Sequence, residues 1–196
     1  MALALDATSI GVSVTGTSQT WSHTCTGSDR ILFVACGIPL LDTITVTYAG
    51  TAMTLVGKIG TDDLVRYTYL WYLAAPATGA NNIVVTSSSS QILRGVAASY
   101  TGAKQTGIPD ASATKAQNVA SLGEISQAVT TIADNCWLVL AGTSSLISAG
   151  TSTTERAEVA QDGLGIFDSN AAKTPAGSYS LAVKNDDTVS RDMQIV

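Results

Sequence analysis

Charge is what this chain has least of. Lys and Arg number 10 and Asp and Glu 15, together 13% of 196 residues, with a formal net charge of −5; this is about half the charged share of an ordinary globular domain. Ten scattered cations on an acidic chain exclude the basic patch that nucleic-acid binding requires. There are only 3 Glu and 5 Lys, which removes the usual material of solvent-facing helices. Disorder is excluded as well, because hydrophobic residues reach 45% and a disordered chain carries more charge and less Val, Ile and Leu. No apolar run approaches the roughly 20 residues of a membrane span, so no membrane insertion is expected. The most apolar stretch, 31–41, contains Gly37 and Pro39 and stops at Asp42. Residues 1–6 lack the basic leader and long apolar stretch of a signal peptide. The three cysteines, Cys25, Cys36 and Cys136, form no C-x-x-C pair, and their odd number argues against a disulfide framework. The expected origin is a reducing cytoplasm without export.

Catalytic signals are equally sparse. The single histidine, His23, makes a His-based metal cluster within one chain impossible, and no cysteine pair has zinc-ligand spacing. His23 could serve a Ser/His/Asp or Cys/His site, but no G-x-S-x-G elbow presents a nucleophile; it reads as a strand histidine at a sheet surface or interface. Gly163-Leu164-Gly165 lacks the third glycine of a dinucleotide fingerprint and no G-K-[ST] occurs, so Asp162-Gly163 reads as a hairpin turn. The pairs Asp62-Asp63 and Asp186-Asp187 could hold calcium, but no EF-hand or nonapeptide repeat supports them, and they read as solvated turn carboxylates. No catalytic, cofactor-binding or metal-ligating residue is therefore assigned, no cofactor is implied, and the expectation is a protein that is not an enzyme.

What is abundant is Thr and Ser, 26 and 21 residues, with 12 Asp. They sit in period-two patterns that predict strands over 9–14, 20–25, 30–38, 44–48, 53–59, 65–74, 82–87 and 92–100. In the second half strands are predicted over 125–131, 136–143, 151–160, 164–168, 178–184 and 191–196. Gly-, Asp- and Pro-containing turns separate them. Only 112–121 could hold one helical turn. Many short strands without a convincing helix predict an all-β, antiparallel two-sheet β-sandwich of jelly-roll type. In the strand 65–73, Val65, Tyr67, Tyr69, Trp71 and Leu73 share one face. That row either stacks on sugar rings or fills the space between two sheets, and the apolar end Leu70-Trp71-Tyr72-Leu73 favours the second.

The order of several short matches suggests an internal duplication of 1–105 and 106–196. Asp6-Ala7-Thr8-Ser9 resembles Asp110-Ala111-Ser112-Ala113. Asp29-Arg30-Ile31-Leu32-Phe33-Val34 resembles Asp134-Asn135-Cys136-Trp137-Leu138-Val139. Ala49-Gly50-Thr51 matches Ala149-Gly150-Thr151, and Pro76-Ala77-Thr78-Gly79 resembles Pro175-Ala176-Gly177. Two architectures fit: one sandwich, 1–196, in which both halves interleave, or two tandem small sandwiches. The first is preferred because a single core buries proportionally more surface, with 102–109 as a crossing loop.

Further stretches carry a family likeness: Thr20-Trp21-Ser22-His23-Thr24, Arg30-Ile31-Leu32-Phe33-Val34, Val46-Thr47-Tyr48-Ala49-Gly50-Thr51-Ala52-Met53, Leu70-Trp71-Tyr72-Leu73, Pro76-Ala77-Thr78-Gly79 and Val96-Ala97-Ala98-Ser99-Tyr100-Thr101-Gly102. Over about residues 20–105 the chain resembles a recurrent β-sandwich domain of phage virion structural proteins and bacterial surface proteins. After that only Ala133-Asp134-Asn135-Cys136-Trp137-Leu138-Val139 stands out. The resemblance implies a scaffold for display or assembly. With no export signal, it points to a virion component made in the host cytoplasm: a capsid decoration (cement) protein or a head- or tail-surface protein. Its expected partners are other virion subunits, and a symmetric homo-oligomer is expected, of a number the sequence does not set. A carbohydrate-binding or adhesive module, taking a host-surface glycan on Tyr67, Tyr69 and Trp71, is the alternative.

Overall fold

Thr and Ser alternate with aliphatic and aromatic residues through most of the chain, and an extended backbone sends those two sets to opposite faces. The computed structural model describes residues 2–61, 66–117, 123–144, 146–159, 163–185 and 191–195. Among them every ladder is antiparallel and no helix occurs, so the chain has the all-β fold its pattern predicts. The first half forms β1 (Ala4–Cys25), β2 (Ile31–Ile38), β3 (Ile44–Tyr48), β4 (Thr51–Ala52), β5 (Thr54–Thr61), β6 (Arg66–Ala74) and β7 (Gly79–Thr101). The second half forms β8 (Ala113–Gln117), β9 (Glu124–Thr130), β10 (Val139–Thr143), β11 (Ile147–Ala149), β12 (Thr154–Val159), β13 (Leu164–Asp168), β14 (Ser178–Asn185) and β15 (Arg191–Ile195). The helical turn considered for 112–121 is replaced by strand β8 as far as Gln117; the rest of that stretch lies outside the described residues. So do the turn carboxylates Asp62-Asp63 and Asp186-Asp187, Asp162 and Val65.

The main departure from the sequence reading is in β1 and β7. Each is expected as two strands, yet each runs through as one strand, the pair extending from Ala4↔Thr101 to Cys25↔Gly79. Register shifts at Gly11/Val14 and Gly16/Ser18 mark bulges, which bend a strand and let it serve two layers. The seven-stranded sheet β4-β3-β7-β2-β6-β5, with β1 on β7, is thereby folded over on itself. Its layers enclose a core in which Leu32, Val34, Tyr69 and Trp71 meet Trp21, Val46, Tyr48 and Ile83. The bend has a local cause: Gly11 pairs with Gly95, and the Trp21 ring lies across both. A Cβ on Gly95 would sit 2.3 Å from the ring and one on Gly11 2.8 Å, so neither position has room for a side chain.

The second half repeats this plan with the long strands cut in two. Its sheets run β12-β13-β10-β15-β8 and β11-β14-β9, matching β5-β6-β2-β7-β1 and β3-β7-β1. Ile125, Leu140, Phe167 and Leu181 fill the space between them. The duplicated Asp motif has the same work in both halves. Asp6 accepts hydrogen bonds from Thr26 N (2.8 Å) and Ser99 Oγ (2.9 Å), and Asp110 from Ile132 N (2.6 Å) and Ala133 N (3.3 Å). Each carboxylate lies near the start of its half and binds the segment that follows β1 in the first and β9 in the second.

The ladders respect the boundary between the halves: among the described residues, strands of 4–101 pair only with one another, and so do those of 113–195. The halves meet as faces rather than as interleaved strands. Phe33, Leu70, Val96 and Tyr100 pack against Val139, Leu164 and Ile166. This explains why every residue of β2 is buried: one side faces its own sandwich and the other faces the second half. The packing is pseudo-twofold. β1 lies over β12 as β8 lies over β5, β7 over β13 as β15 over β6, and β2 over β13 as β10 over β6.

Candidate functional site

The bend of β1 brings one hydroxyl of that strand to the single histidine. Ser9 Oγ lies 2.8 Å from His23 Nδ1, and the question is whether this pair can act as nucleophile and base. A working base must be accessible, oriented by a third group and matched in pKa to its task. His23 is 1% exposed, and burial lowers its pKa to about 4 despite the opposing charge of Asp6. Its Nε2 is buried without a partner, because the Asp6 carboxylate bonds Thr26 and Ser99 instead. The Ser9 oxygen already accepts from Trp21 Nε1 at 3.0 Å. The arrangement packs Trp21 in place and lacks the geometry of a catalytic dyad. Of the two places the alternating pattern allows, sheet surface or interface, His23 takes the buried one, under Tyr48 with ring centroids 6.3 Å apart.

The aromatic row of β6 is interior as well. Tyr67, Tyr69 and Trp71 are 7%, 2% and 8% exposed, so they form no platform for a sugar, and a glycan reading loses the residues it rested on. The Tyr69 hydroxyl donates to Asp42 O at 2.8 Å, which gives the one polar atom of that side chain a partner on the core's edge. Asp42 is itself a loop staple. Hydrogen bonds from Ser87, Ser88 and Ser89 hold its carboxyl well below the usual range, and Gln91 Nε2 adds another at 3.0 Å. Cys36 is buried and Cys25 likewise, with both thiol pKa values raised by burial. Burial and the neighbouring Asp110 carboxylate also raise that of Cys136. Thiols kept protonated in this way are poor nucleophiles. Among the described residues no group of three His, Cys, Asp or Glu gathers as a metal site, and no helix is long and apolar enough to cross a membrane.

The most elaborate polar cluster joins the halves. Asp168, fully buried, receives Arg156 Nε at 2.6 Å and Nη2 at 2.8 Å. Tyr100, from the first half, donates to the same carboxylate at 2.9 Å. Asn170 N closes the set at 2.8 Å. Burial and then the Asp168 charge push the Tyr100 pKa well above the usual tyrosine range, so its hydroxyl remains a donor. The separate motifs held Tyr100, but nothing in the sequence linked it to Asp168 or Arg156, because the partners lie on opposite halves.

The two ends of the molecule differ. Around the linker, residues of 102–111 and the starts of β2 and β10 surround a cavity of about 540 Å³. At the other end lie the bulges of β1 and β7 and the loops after β2 and β10. There Gly37 approaches Leu164, and Leu40 N donates to Gln91 Oε1 at 3.2 Å. Among the described residues, that end carries five of the nine exposed large apolar side chains: Val12 (80%), Leu40 (61%), Leu41 (55%), Leu146 and Ile92. Comparison with known proteins found no matching family model, no matching curated protein and no matching solved structure.

Proposed function

We propose that the protein is a non-enzymatic structural component of a phage virion, most simply a capsid decoration protein, that acts by packing against neighbouring subunits. The observation that carries this reading is the end bearing Val12, Leu40, Leu41, Ile92 and Leu146. The inner sheet layers are covered by the opposite half and the outer faces of β3 and β9 present mainly Thr, Ser and Glu, so these loops form the densest group of exposed apolar side chains among the described residues. The Ser9–His23 pair supports the same reading, since its buried, weakly basic imidazole suits packing better than proton transfer. Few Lys and Glu side chains leave little side-chain entropy to lose at a contact. A symmetric homo-oligomer on the particle fits such a surface.

The test is binding of purified protein to capsids assembled without it. The expected result is saturable binding and greater resistance of the capsid to heat or chelation. The Leu40→Asp/Leu41→Asp double variant should fold normally and bind at least about tenfold more weakly, since burying two charges in an apolar contact costs more than the roughly 1.4 kcal/mol that a factor of ten requires. Binding to free glycan or cell surfaces with none to capsids would reject the proposal.

A further inference from the structure

We propose that the cavity at the linker end binds a small amphiphilic anion, with an apolar ring-bearing body and one acidic head group. Its volume, about 540 Å³, falls within the roughly 300–1,000 Å³ of small-molecule sites. Phe33, Tyr72, Tyr100 and Trp137 wall it. Ring centroids 6.2 Å apart for Phe33–Tyr100 and 6.0 Å for Tyr100–Trp137 make three of them a continuous aromatic surface. Flat apolar bodies gain most from such a wall, through offset and edge contacts. A void of this size is also out of keeping with the rest of the interface, where a Cβ on Gly37 would already touch Leu164 at 3.5 Å. Protein interiors are otherwise close-packed.

The head group follows from the charges that line the cavity. Asp110 and Asp134 are occupied by loop amides, Asp110 by Ile132 N at 2.6 Å and Asp134 by Ala176 N at 2.7 Å. Lys104, on the linker, has no hydrogen-bond or ion-pair partner among the described residues. The carboxylates keep their charge but lie against these loop amides, whereas the Lys104 ammonium and the buried, unpartnered indole Nε1 of Trp137 are the lining donors left over, and two such donors select an acceptor-rich, anionic head. Neither half alone supplies the site: Phe33 and Tyr72 come from the first, Trp137 from the second and Lys104 from between them.

Two dyes of one shape separate the elements of the proposal in the full-length protein: 8-anilinonaphthalene-1-sulfonate, which is anionic, and N-phenyl-1-naphthylamine, which is neutral. Both should bind saturably at one per chain, with enhanced fluorescence. Ala172→Trp, at an exposed position on the lining, should abolish both by filling the space. Lys104→Gln should weaken the anionic dye about fivefold and the neutral dye less than about twofold, the size of a partly solvated ion pair. Absence of saturable binding overturns the proposal. So does binding that survives Ala172→Trp, which would place the dye on the exposed leucines of the opposite end. Equal effects of Lys104→Gln on both dyes overturn the anionic head. These outcomes are independent of whether the protein binds capsids.

Discussion

A single buried imidazole gives this protein a pH dependence that its composition does not announce. His23 has a pKa of about 4 in the folded chain against 6.5 for the free side chain, burial being the main cause. Between those values the unfolded chain binds a proton that the folded chain does not, so stability is complete above about pH 6.5 and falls as the pH drops toward 4. From pH 7 to pH 5 the loss should be about 2 kcal/mol, read as a lower urea midpoint. The carboxyl of Asp6 is held below its usual value by hydrogen bonds from Thr26 and Ser99 that outweigh its burial, so its contribution is lost only at lower pH and does not blur this window. His23→Gln should be less stable at pH 7 but flat between pH 7 and 5. A flat wild-type profile would show that the imidazole titrates normally.

Among elements, the decisive contact is the one between β7 and β13. Apolar faces bring the two sandwiches together but carry little directional information, whereas Tyr100, Asp168 and Arg156 fix one register across the interface. Tyr100→Phe removes one hydrogen bond and leaves the carboxylate paired with Arg156. It should cost about 1 kcal/mol. Asp168→Asn leaves the guanidinium, 13% exposed, without its counter-charge, and should cost about 3 kcal/mol. Urea denaturation of both variants measures the two losses. Equal losses would mean that the charge pair adds nothing beyond the hydrogen bond.

At the level of the whole molecule, the linker is covalently dispensable once the halves have met. Thr106 and Gly107 are exposed, so a protease site placed between them can be cut in the native protein. The two fragments should remain associated through size-exclusion chromatography and part only in denaturant, because the apolar layer and the Tyr100–Asp168 bond both cross the cut. Separation into two folded halves under native conditions would show that the face-to-face packing is too weak to hold without the tether. The same cut should impair the cavity, which needs groups from both halves and from the linker.

Much of this was legible in the residues. The alternation of Thr and Ser with Val, Ile and aromatics specifies strands because a pleated backbone sorts side chains by parity. The similar Asp6 and Asp110 motifs fall at corresponding places in two halves whose strand orders run alike. The apolar end of the row Tyr67, Tyr69, Trp71 points to the inter-sheet space, where all three are buried. Three things were not legible. The passage of β1 and β7 through their bulges depends on Trp21 lying across Gly11 and Gly95, a fit between residues far apart in the chain. Two faces of β2 were both apolar, but only the docking of the second half shows what covers each. The Tyr100–Asp168–Arg156 cluster and the cavity belong to neither half alone. Periodicity is local and therefore readable from the chain, while the meeting of two sheets is set by shape and charge on faces that the sequence lists 68 residues apart.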